Sequence, residues 1–217
     1  MSKIIAYTCI TAGRDSAVKI NREPGVDYVM FTDQAPQNDF WEYKGIHESQ
    51  RNDDPRRTAR YFKVNPHLLF PGYDYSIWLD GNIEPLKPVQ WYIEKLNGKD
   101  IAVHAHPKRN CAYEEAALIR RLKFDYPKKV DAIVGILEAD RYPRNHGLAE
   151  TFMLVRRHCA ELARANDYWW SLIAGTSRRD QLSFNYAFWK SGCAISTLPE
   201  GSVAIHPHLT KNRRVID

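Results

Sequence analysis

Apolar residues in this chain form short runs and helical stripes that alternate along its length. The runs are rich in β-branched and aromatic residues, which favours strands, whereas the stripes repeat every three or four residues, which favours helices. The predicted strands cover residues 3–10, 27–33, 41–46, 75–79, 101–104, 150–155, 194–198 and 203–206. The predicted helices cover residues 55–65, 89–96, 113–122, 130–139, 159–165 and 180–190.

Strands that alternate with helices predict the α/β class: a sandwich of helices around a mostly parallel central sheet, with residues 1–217 forming one domain. In such sheets, ligands bind beyond the carboxyl ends of the strands. Thr8, Ile10 and Arg14 surround one predicted strand end, where we expect a base and ribose to dock. Asp33 follows the next strand, and it either contacts the ribose or merely ends that strand.

A third strand end carries the most distinctive chemistry. The apolar run 75–79 stops at Asp80, Gly81 and Asn82, so two side-chain oxygens lie on either side of a residue without a side chain. Oxygen ligands suit a hard divalent cation, Mn²⁺ or Mg²⁺, which in turn would hold a diphosphate. The alternative is a strand closed by an Asp-Gly turn.

The C-terminal segment offers candidates for the rest of such a site. His208 is the predicted third metal ligand, with His206 as the alternative, and Lys211 is expected to contact the phosphates. A surface turn around Pro207 would also explain these histidines.

Charged residues on two predicted helices are further candidates. Arg60 and Lys63 share a helix face that can grip a diphosphate, although a solvated face is the alternative. Asp180 and Gln181 begin the last long helix, and we expect them beside a reacting sugar as catalytic groups. Ser177 and Asp180 are also spaced as a helix capping box, which by itself would account for the acid.

Two more polar positions border predicted elements. His106, Arg109, Tyr113 and Glu114 cluster at a helix start and are expected to contact an acceptor or a donor sugar. Glu150 precedes an apolar strand, where it would be either a ligand for sugar hydroxyls or a catalytic base.

Charge and composition narrow the partners only slightly. The net charge of +5 and the pI near 9.0 imply an anionic partner, which could be a nucleic acid, a membrane surface or a nucleotide diphosphate. The basic residues are dispersed, so charge alone does not choose among these. Apolar runs are too short to span a bilayer, no signal peptide is evident, and four distant cysteines predict reduced thiols; a cytoplasmic location is therefore expected.

Four blocks of the sequence together resemble a known family: residues 57–82, 106–116, 150–158 and 179–184. They are similar to glycosyltransferases of the GT-A type, and more narrowly to a family long catalogued as a domain of unknown function. Its members include plant proteins linked to cell-wall and mucilage polysaccharides. The resemblance implies a Rossmann-like GT-A sandwich, a nucleotide-sugar donor, most simply a UDP-sugar, a glycan acceptor and a divalent cation.

A more distant likeness is to the glycogenin-like retaining transferases, which carry Asp-x-Asp where this chain has Asn82. The amide contributes no charge, so the metal dependence that the resemblance implies is expected to be weaker. Two other functions stay open: the same chemistry on modified DNA, motivated by the positive charge, and a non-catalytic module that binds nucleotides or glycans.

Overall fold

The computed structural model describes residues 2–36 and 38–208. The strands are β1 (Ile4–Ile10), β2 (Val26–Thr32), β3 (Glu42–Gly45), β4 (Tyr75–Leu79), β5 (Ile83–Pro85), β6 (Ile101–Ala105), β7 (Ala149–Arg157), β8 (Ile195–Thr197) and β9 (Val203–Ile205). The helices are α1 (Pro55–Val64), α2 (Pro66–Leu69), α3 (Val89–Glu94), α4 (Ala112–Arg121), α5 (Pro127–Ala139), α6 (Ala160–Gly175) and α7 (Asp180–Lys190), with a 3₁₀ turn at Glu48–Gln50.

Seven strands form the central sheet in the order β3-β2-β1-β4-β7-β6-β8. All neighbours in this sheet are parallel except β7, which runs antiparallel to both β4 and β6. Strands β5 and β9 pair separately as a small antiparallel sheet. The predicted class, an α/β sandwich around a mostly parallel sheet, is therefore confirmed.

Alternating side chains of the central strands build a core on each face of the sheet. On β4, Trp78 packs into one apolar cluster, with residues from α1 and α4 to α7. Ile77 and Leu79 point the other way, into a cluster that includes Val89 and Tyr92 of α3. This alternation is the period-two pattern that a strand buried on both faces requires.

Three helices differ clearly from the prediction: α5 begins at Pro127 instead of residue 130, α6 is longer, and α2 was not predicted. The helix predicted over 159–165 continues to Gly175 because apolar side chains keep recurring on its inner face, among them Trp169, Leu172 and Ile173. Pro66 ends α1 as expected, but it also begins the short helix α2, where a proline at the first helical position is tolerated.

Long-range contacts fix the elements around one edge of the sheet. The Arg57 guanidinium donates to the carbonyl oxygens of Ala174 (2.8 Å) and Thr176 (2.6 Å), which ties α1 to the end of α6. Arg178 pairs with Asp54, the N-cap of α1, and so ties α1 to the segment before α7. The starts of α1 and α7 are thereby held together.

Two simpler expectations concern cysteines and membranes. Cys9, Cys111, Cys159 and Cys193 are all free thiols, as their spacing predicted. Within residues 2–36 and 38–208, no helix is both long enough and apolar enough to cross a bilayer.

Candidate functional site

A cavity of about 320 Å³ opens where the carboxyl ends of β1 and β4 meet the amino end of β7. Because β7 is antiparallel, its first residues lie beside the end of β4, and the Asp80 backbone N–H donates to the Phe152 carbonyl (2.8 Å). The lining side chains come from β1 and its loop, α1, the end of β4, β7 and the start of α7. They are Cys9, Ile10, Thr11, Arg14, Asp15, Arg56, Ala59, Arg60, Trp78, Asp80, Gly81, Phe124, Glu150, Thr151, Phe152, Arg179, Asp180, Gln181 and His208.

The floor of the cavity is a buried ion network centred on Asp180. One carboxylate oxygen lies 3.0 Å from Arg60 Nε, and the other lies 2.6 Å from Lys63 Nζ and accepts from the Thr151 hydroxyl (2.8 Å). Burial raises the pKa of Asp180, but the charges of Arg60 and Lys63 outweigh this and hold the pKa well below its usual value. Asp180 is therefore ionised at neutral pH.

Lys63 joins this network to the end of β4. Its side chain is fully buried, and its ammonium group also lies 3.1 Å from Asp80 Oδ1. Burial lowers the Lys63 pKa, whereas the charges of Asp180 and Asp80 raise it. The Trp78 indole N–H donates to the same Asp80 oxygen (2.7 Å). The solvated-face alternative for Arg60 and Lys63 is thus wrong, because both face carboxylates inside the fold.

Further arginines line the same cavity. Burial, followed by the charges of Arg14, Arg178 and Arg179, lowers the Arg56 pKa to about 10. Arg179 lines the cavity with no carboxylate within 4 Å in the described part of the chain, and its buried Nε has no hydrogen-bond partner there. A buried cationic donor without an anion is costly unless a ligand supplies one.

Some of the residues predicted to bind the nucleotide line the cavity, whereas others lie outside its lining. Ile10, Arg14, Arg60, Asp80 and Gly81 line the cavity. Thr8 is buried and lies outside the lining, so contact of its side chain with a base is not supported.

Asp33 also lies outside the lining and stabilises a neighbouring loop. Both of its carboxylate oxygens accept from the Ala12 backbone N–H (3.0 Å each), so Asp33 braces the loop that carries Arg14. Lys63 is not among the lining residues, but its ammonium group contacts Asp80 and Asp180, which are. Lys211 lies outside the described residues.

The predicted metal ligands do not converge in this arrangement. Asp80 Oδ1 is occupied by the Lys63 ammonium and the Trp78 indole, while the Asn82 amide donates to the His206 carbonyl (2.7 Å) and Asn82 does not line the cavity. Across residues 2–36 and 38–208, no group of three His, Cys, Asp or Glu side chains is placed to hold a metal ion. The residues therefore do not fit the predicted site, and the requirement for Mn²⁺ or Mg²⁺ stays a prediction.

The two histidines proposed as the third ligand have other partners. His208 lines the cavity, but its Nδ1 lies 3.0 Å from both carboxylate oxygens of Asp15. His206 Nε2 lies 2.7 Å from Glu84 Oε2, across the small sheet. The Asp-Gly turn, in contrast, is present, because the Ile83 N–H donates to the Asp80 carbonyl (2.9 Å).

The capping-box explanation for Asp180 is wrong. The N-cap of α7 is Arg179 rather than Ser177, and no side chain caps it. The Ser177 hydroxyl instead donates to Asp125 (2.7 Å), a buried carboxylate in the loop before α5. Asp180 and Gln181 both line the cavity, where they stay candidates for contact with a reacting sugar.

The predicted acceptor group forms a separate cluster beside the cavity. None of its four members is among the lining residues that the structure describes. Arg109 pairs with Glu115 (2.8 Å) and lies 2.8 Å from His106 Nε2, and the Tyr113 hydroxyl donates to the Tyr142 carbonyl (2.8 Å). Glu114 is exposed, whereas its neighbour Glu115 is the buried partner. The charges of Arg109 and Glu115 act on the pKa of Glu150, and Glu115 also acts on the pKa of Arg179, so the cluster influences the cavity electrostatically.

Sequence reasoning missed several lining residues, chiefly Arg56, Thr151 and Arg179. A signal for Arg56 did exist, because Arg56, Arg60 and Lys63 recur at four- and three-residue steps on one face of α1. Nothing local marks Thr151 or Arg179, whose roles depend on contacts between distant elements.

Gly81 lies against Ile10 so closely that a side chain there would crowd the cavity wall. A Cβ atom at Gly81 would stand 2.8 Å from Ile10 Cδ1 and 3.3 Å from Asp15 Cβ. We expect Gly81→Ala to lower the free energy of unfolding by about 1–3 kcal/mol through overpacking. Urea unfolding followed by circular dichroism measures this change.

Gly135→Ala is the matched control, because Gly135 lies inside α5 with open space around it. It should raise the free energy of unfolding by about 0.5–1 kcal/mol through helix propensity. Equal effects of the two substitutions would contradict the crowding at Gly81.

Comparison with known proteins shows the family of the sequence and a solved structure with a similar fold. Residues 25–197 match the family described as the TOD1/MUCI70, glycosyltransferase-like domain. No curated protein matches the sequence. The apo structure of WbbM, a bifunctional glycosyltransferase, is similar in fold, with a TM-score of 0.56 over 91% of this chain at 9% identity. The chain spans 39% of the length of WbbM, so this likeness concerns the fold alone.

These findings confirm the resemblance to GT-A type glycosyltransferases. Neither match is to a DNA-modifying protein, so the alternative of a DNA acceptor gains no support from them.

Proposed function

The chain belongs to the TOD1/MUCI70, glycosyltransferase-like domain family, and on that premise we propose that it transfers a sugar from a nucleoside diphosphate, most simply UDP, to a carbohydrate or glycoconjugate hydroxyl. The observation that carries this proposal is the Arg179 guanidinium in the cavity lining, whose Nε is buried without a hydrogen-bond partner and which has no carboxylate within 4 Å among residues 2–36 and 38–208. A diphosphate would supply the missing anion through charge-assisted hydrogen bonds.

The electrostatics of the cavity suit the departure of such a group. Glycosyl transfer breaks the bond between the anomeric carbon and a phosphate oxygen, so negative charge grows on the diphosphate as an oxocarbenium-like sugar forms. Arg14, Arg56 and Arg179 line the cavity, so their positive charge stabilises the leaving group. Asp180 holds Arg60 and Lys63 in fixed positions before the substrate arrives.

A divalent cation would supply further stabilisation of the diphosphate if one binds. The predicted ligands do not meet at one point, and the steps proposed here depend only on the side chains of the chain. Comparing nucleotide affinity in Mn²⁺ with that in a chelator tests the cation separately.

The second candidate function is a non-catalytic module that binds nucleotides. The specific observation in its favour is the position of Asn82, whose amide is turned to a backbone carbonyl instead of the cavity. Such a module would bind UDP without consuming a UDP-sugar.

Binding of a nucleoside diphosphate is the first expected result. At a concentration of UDP one hundred times the dissociation constant, binding stabilises the fold by about 2.7 kcal/mol, which raises the melting temperature by about 5–10 °C for a chain of this size. Differential scanning fluorimetry with UDP, GDP, ADP and UMP measures this shift, and UMP should give less because it lacks the second phosphate.

Turnover then separates the two functions. The panel of UDP-glucose, UDP-galactose, UDP-N-acetylglucosamine, UDP-glucuronate and UDP-xylose covers hexosyl and pentosyl donors, and release of UDP reports transfer or hydrolysis. Binding without release for every donor would favour the module. Absence of any thermal shift with all four nucleotides would contradict both functions.

A further inference from the structure

Four carboxylates line the cavity, and three of them are engaged by cationic or polar groups. Asp180 is held by Arg60 and Lys63, Asp80 contacts Lys63 and the Trp78 indole, and Asp15 lies against His208. Glu150 is the fourth. Within the described part of the chain, its carboxylate has no cation within 4 Å and no side-chain hydrogen bond.

The backbone explains why Glu150 faces the cavity. Strands β6 and β7 shift register between Val103, which faces Leu154, and His104, which faces Glu150. This irregularity breaks the usual alternation of faces, so Glu150, Thr151 and Phe152 all line the cavity although they are consecutive. Irregularities of this kind re-aim side chains next to active sites.

The surroundings of Glu150 suit a group that accepts a proton. Burial is the main influence and raises the Glu150 pKa, the charge of Arg109 lowers it, and Glu115 raises it. A carboxylate with a raised pKa is a stronger base than an ion-paired one, such as Asp180.

Resting on the proposed function, we propose that Glu150 is the general base of the reaction and that transfer proceeds by a single displacement with inversion at the anomeric carbon. The Glu150 carboxylate takes the proton of the acceptor hydroxyl as that oxygen forms its bond to the anomeric carbon. The bond from this carbon to the β-phosphate oxygen breaks at the same time, and the diphosphate leaves with the electron pair. The proton on Glu150 then passes to solvent.

The state of the other carboxylates argues against a covalent glycosyl intermediate. A double displacement with retention requires a carboxylate that attacks the anomeric carbon and forms a covalent intermediate. Asp180 has both oxygens engaged, and Asp80 has one oxygen bonded to an ammonium and an indole. This conclusion differs from the retaining outcome of the glycogenin-like transferases.

The test uses the UDP-sugar of the panel that is turned over fastest, with water or the best acceptor as the attacking group. Glu150→Gln should lower kcat at least 100-fold, the usual scale of general-base catalysis, with little change in the dissociation constant for UDP. The wild-type rate should fall as the pH drops through the Glu150 pKa, and this acid limb should disappear in Glu150→Gln.

Glu161→Gln, on the exposed face of α6, is the control and should keep the wild-type rate. Glu150→Gln should unfold at the wild-type temperature or above, because it removes a partly buried charge that has no cation within 4 Å among residues 2–36 and 38–208. Proton NMR of the first product formed from an α-linked UDP-sugar should show the β-anomer.

An α-linked first product would overturn the assignment of Glu150 and of inversion. So would a Glu150→Gln variant whose kcat falls less than tenfold and whose rate still declines at low pH. Either result would leave the transferase function standing. Absence of turnover in the wild-type chain with every donor would overturn both.

Discussion

Replacing Asp180 with asparagine is expected to lower the free energy of unfolding by about 3–5 kcal/mol. The substitution keeps the shape of the side chain but removes the charge that neutralises Lys63 Nζ at 2.6 Å and Arg60 Nε at 3.0 Å. Lys63 is fully buried, and Asp80 would then be the one carboxylate left within 4 Å of its ammonium group among residues 2–36 and 38–208. Urea unfolding at pH 7, followed by tryptophan fluorescence, measures the difference.

Asp131→Asn is the matched control for this change. The Asp131 side chain is 58% exposed and pairs with Arg120 on the surface, where such pairs contribute at most about 1 kcal/mol. Adding Lys63→Met to Asp180→Asn should recover part of the loss, because it removes the stranded charge. If Asp180→Asn lowers the free energy of unfolding no more than Asp131→Asn does, the ion network does not stabilise the fold.

The same carboxylate gives the stability a defined dependence on pH. Because the Asp180 pKa is lowered in the folded state, its contribution is complete above the pKa of an unfolded aspartate, about 4, and is lost as pH falls through the folded-state pKa. The gap in unfolding free energy between the wild type and Asp180→Asn should therefore narrow from pH 5 towards pH 2. A gap that stays constant over this range would contradict the assignment.

The second large effect concerns nucleotide affinity. Arg179→Gln should weaken UDP binding by about 10- to 100-fold, the scale of one or more charge-assisted hydrogen bonds. The folded protein should be as stable as the wild type or more stable, since burial lowers the Arg179 pKa and no carboxylate lies within 4 Å of it in the described residues. Isothermal titration calorimetry gives the affinity, and thermal melts give the stability.

Two comparisons sharpen this result. Arg179→Lys keeps the charge but loses the planar fork, so its affinity should fall between those of the wild type and Arg179→Gln. Arg164→Gln, on an exposed face of α6, should leave the affinity unchanged. If Arg179→Gln binds UDP as tightly as the wild type does, Arg179 does not bind the diphosphate, and the main argument for the proposed function fails.

Local patterns were sufficient for most of the elements, although not for β5 and α2, and for part of the site. The spacing of the apolar residues located the strands of the central sheet and most of the helices around it. The end of the apolar run at Asp80 and Gly81 correctly marked the end of β4, where both residues line a cavity. Arg60 and Asp180, predicted to bind the diphosphate and to act in catalysis, both line the same cavity, and these roles stay predictions.

What the sequence could not reveal depends on contacts between distant parts of the chain. Glu114 was predicted as a member of the polar cluster, but its neighbour Glu115 is the buried partner of Arg109, because the orientation of α4 decides which of two adjacent acids is buried. The spacing of Asp80 and Asn82 did not predict that Asn82 would bond the carbonyl of His206, since that bond exists only once β9 has paired with β5.

The ion network also constrains the order of events during biosynthesis. Lys63 leaves the ribosome well before Asp180, and α1 cannot settle against the sheet with an ammonium group that still lacks this partner. A nascent chain that stops short of α7 would thus hold α1 loosely and expose the apolar faces of the sheet. Productive folding must therefore await the synthesis of α7, so chains that terminate before Asp180 should depend on chaperones.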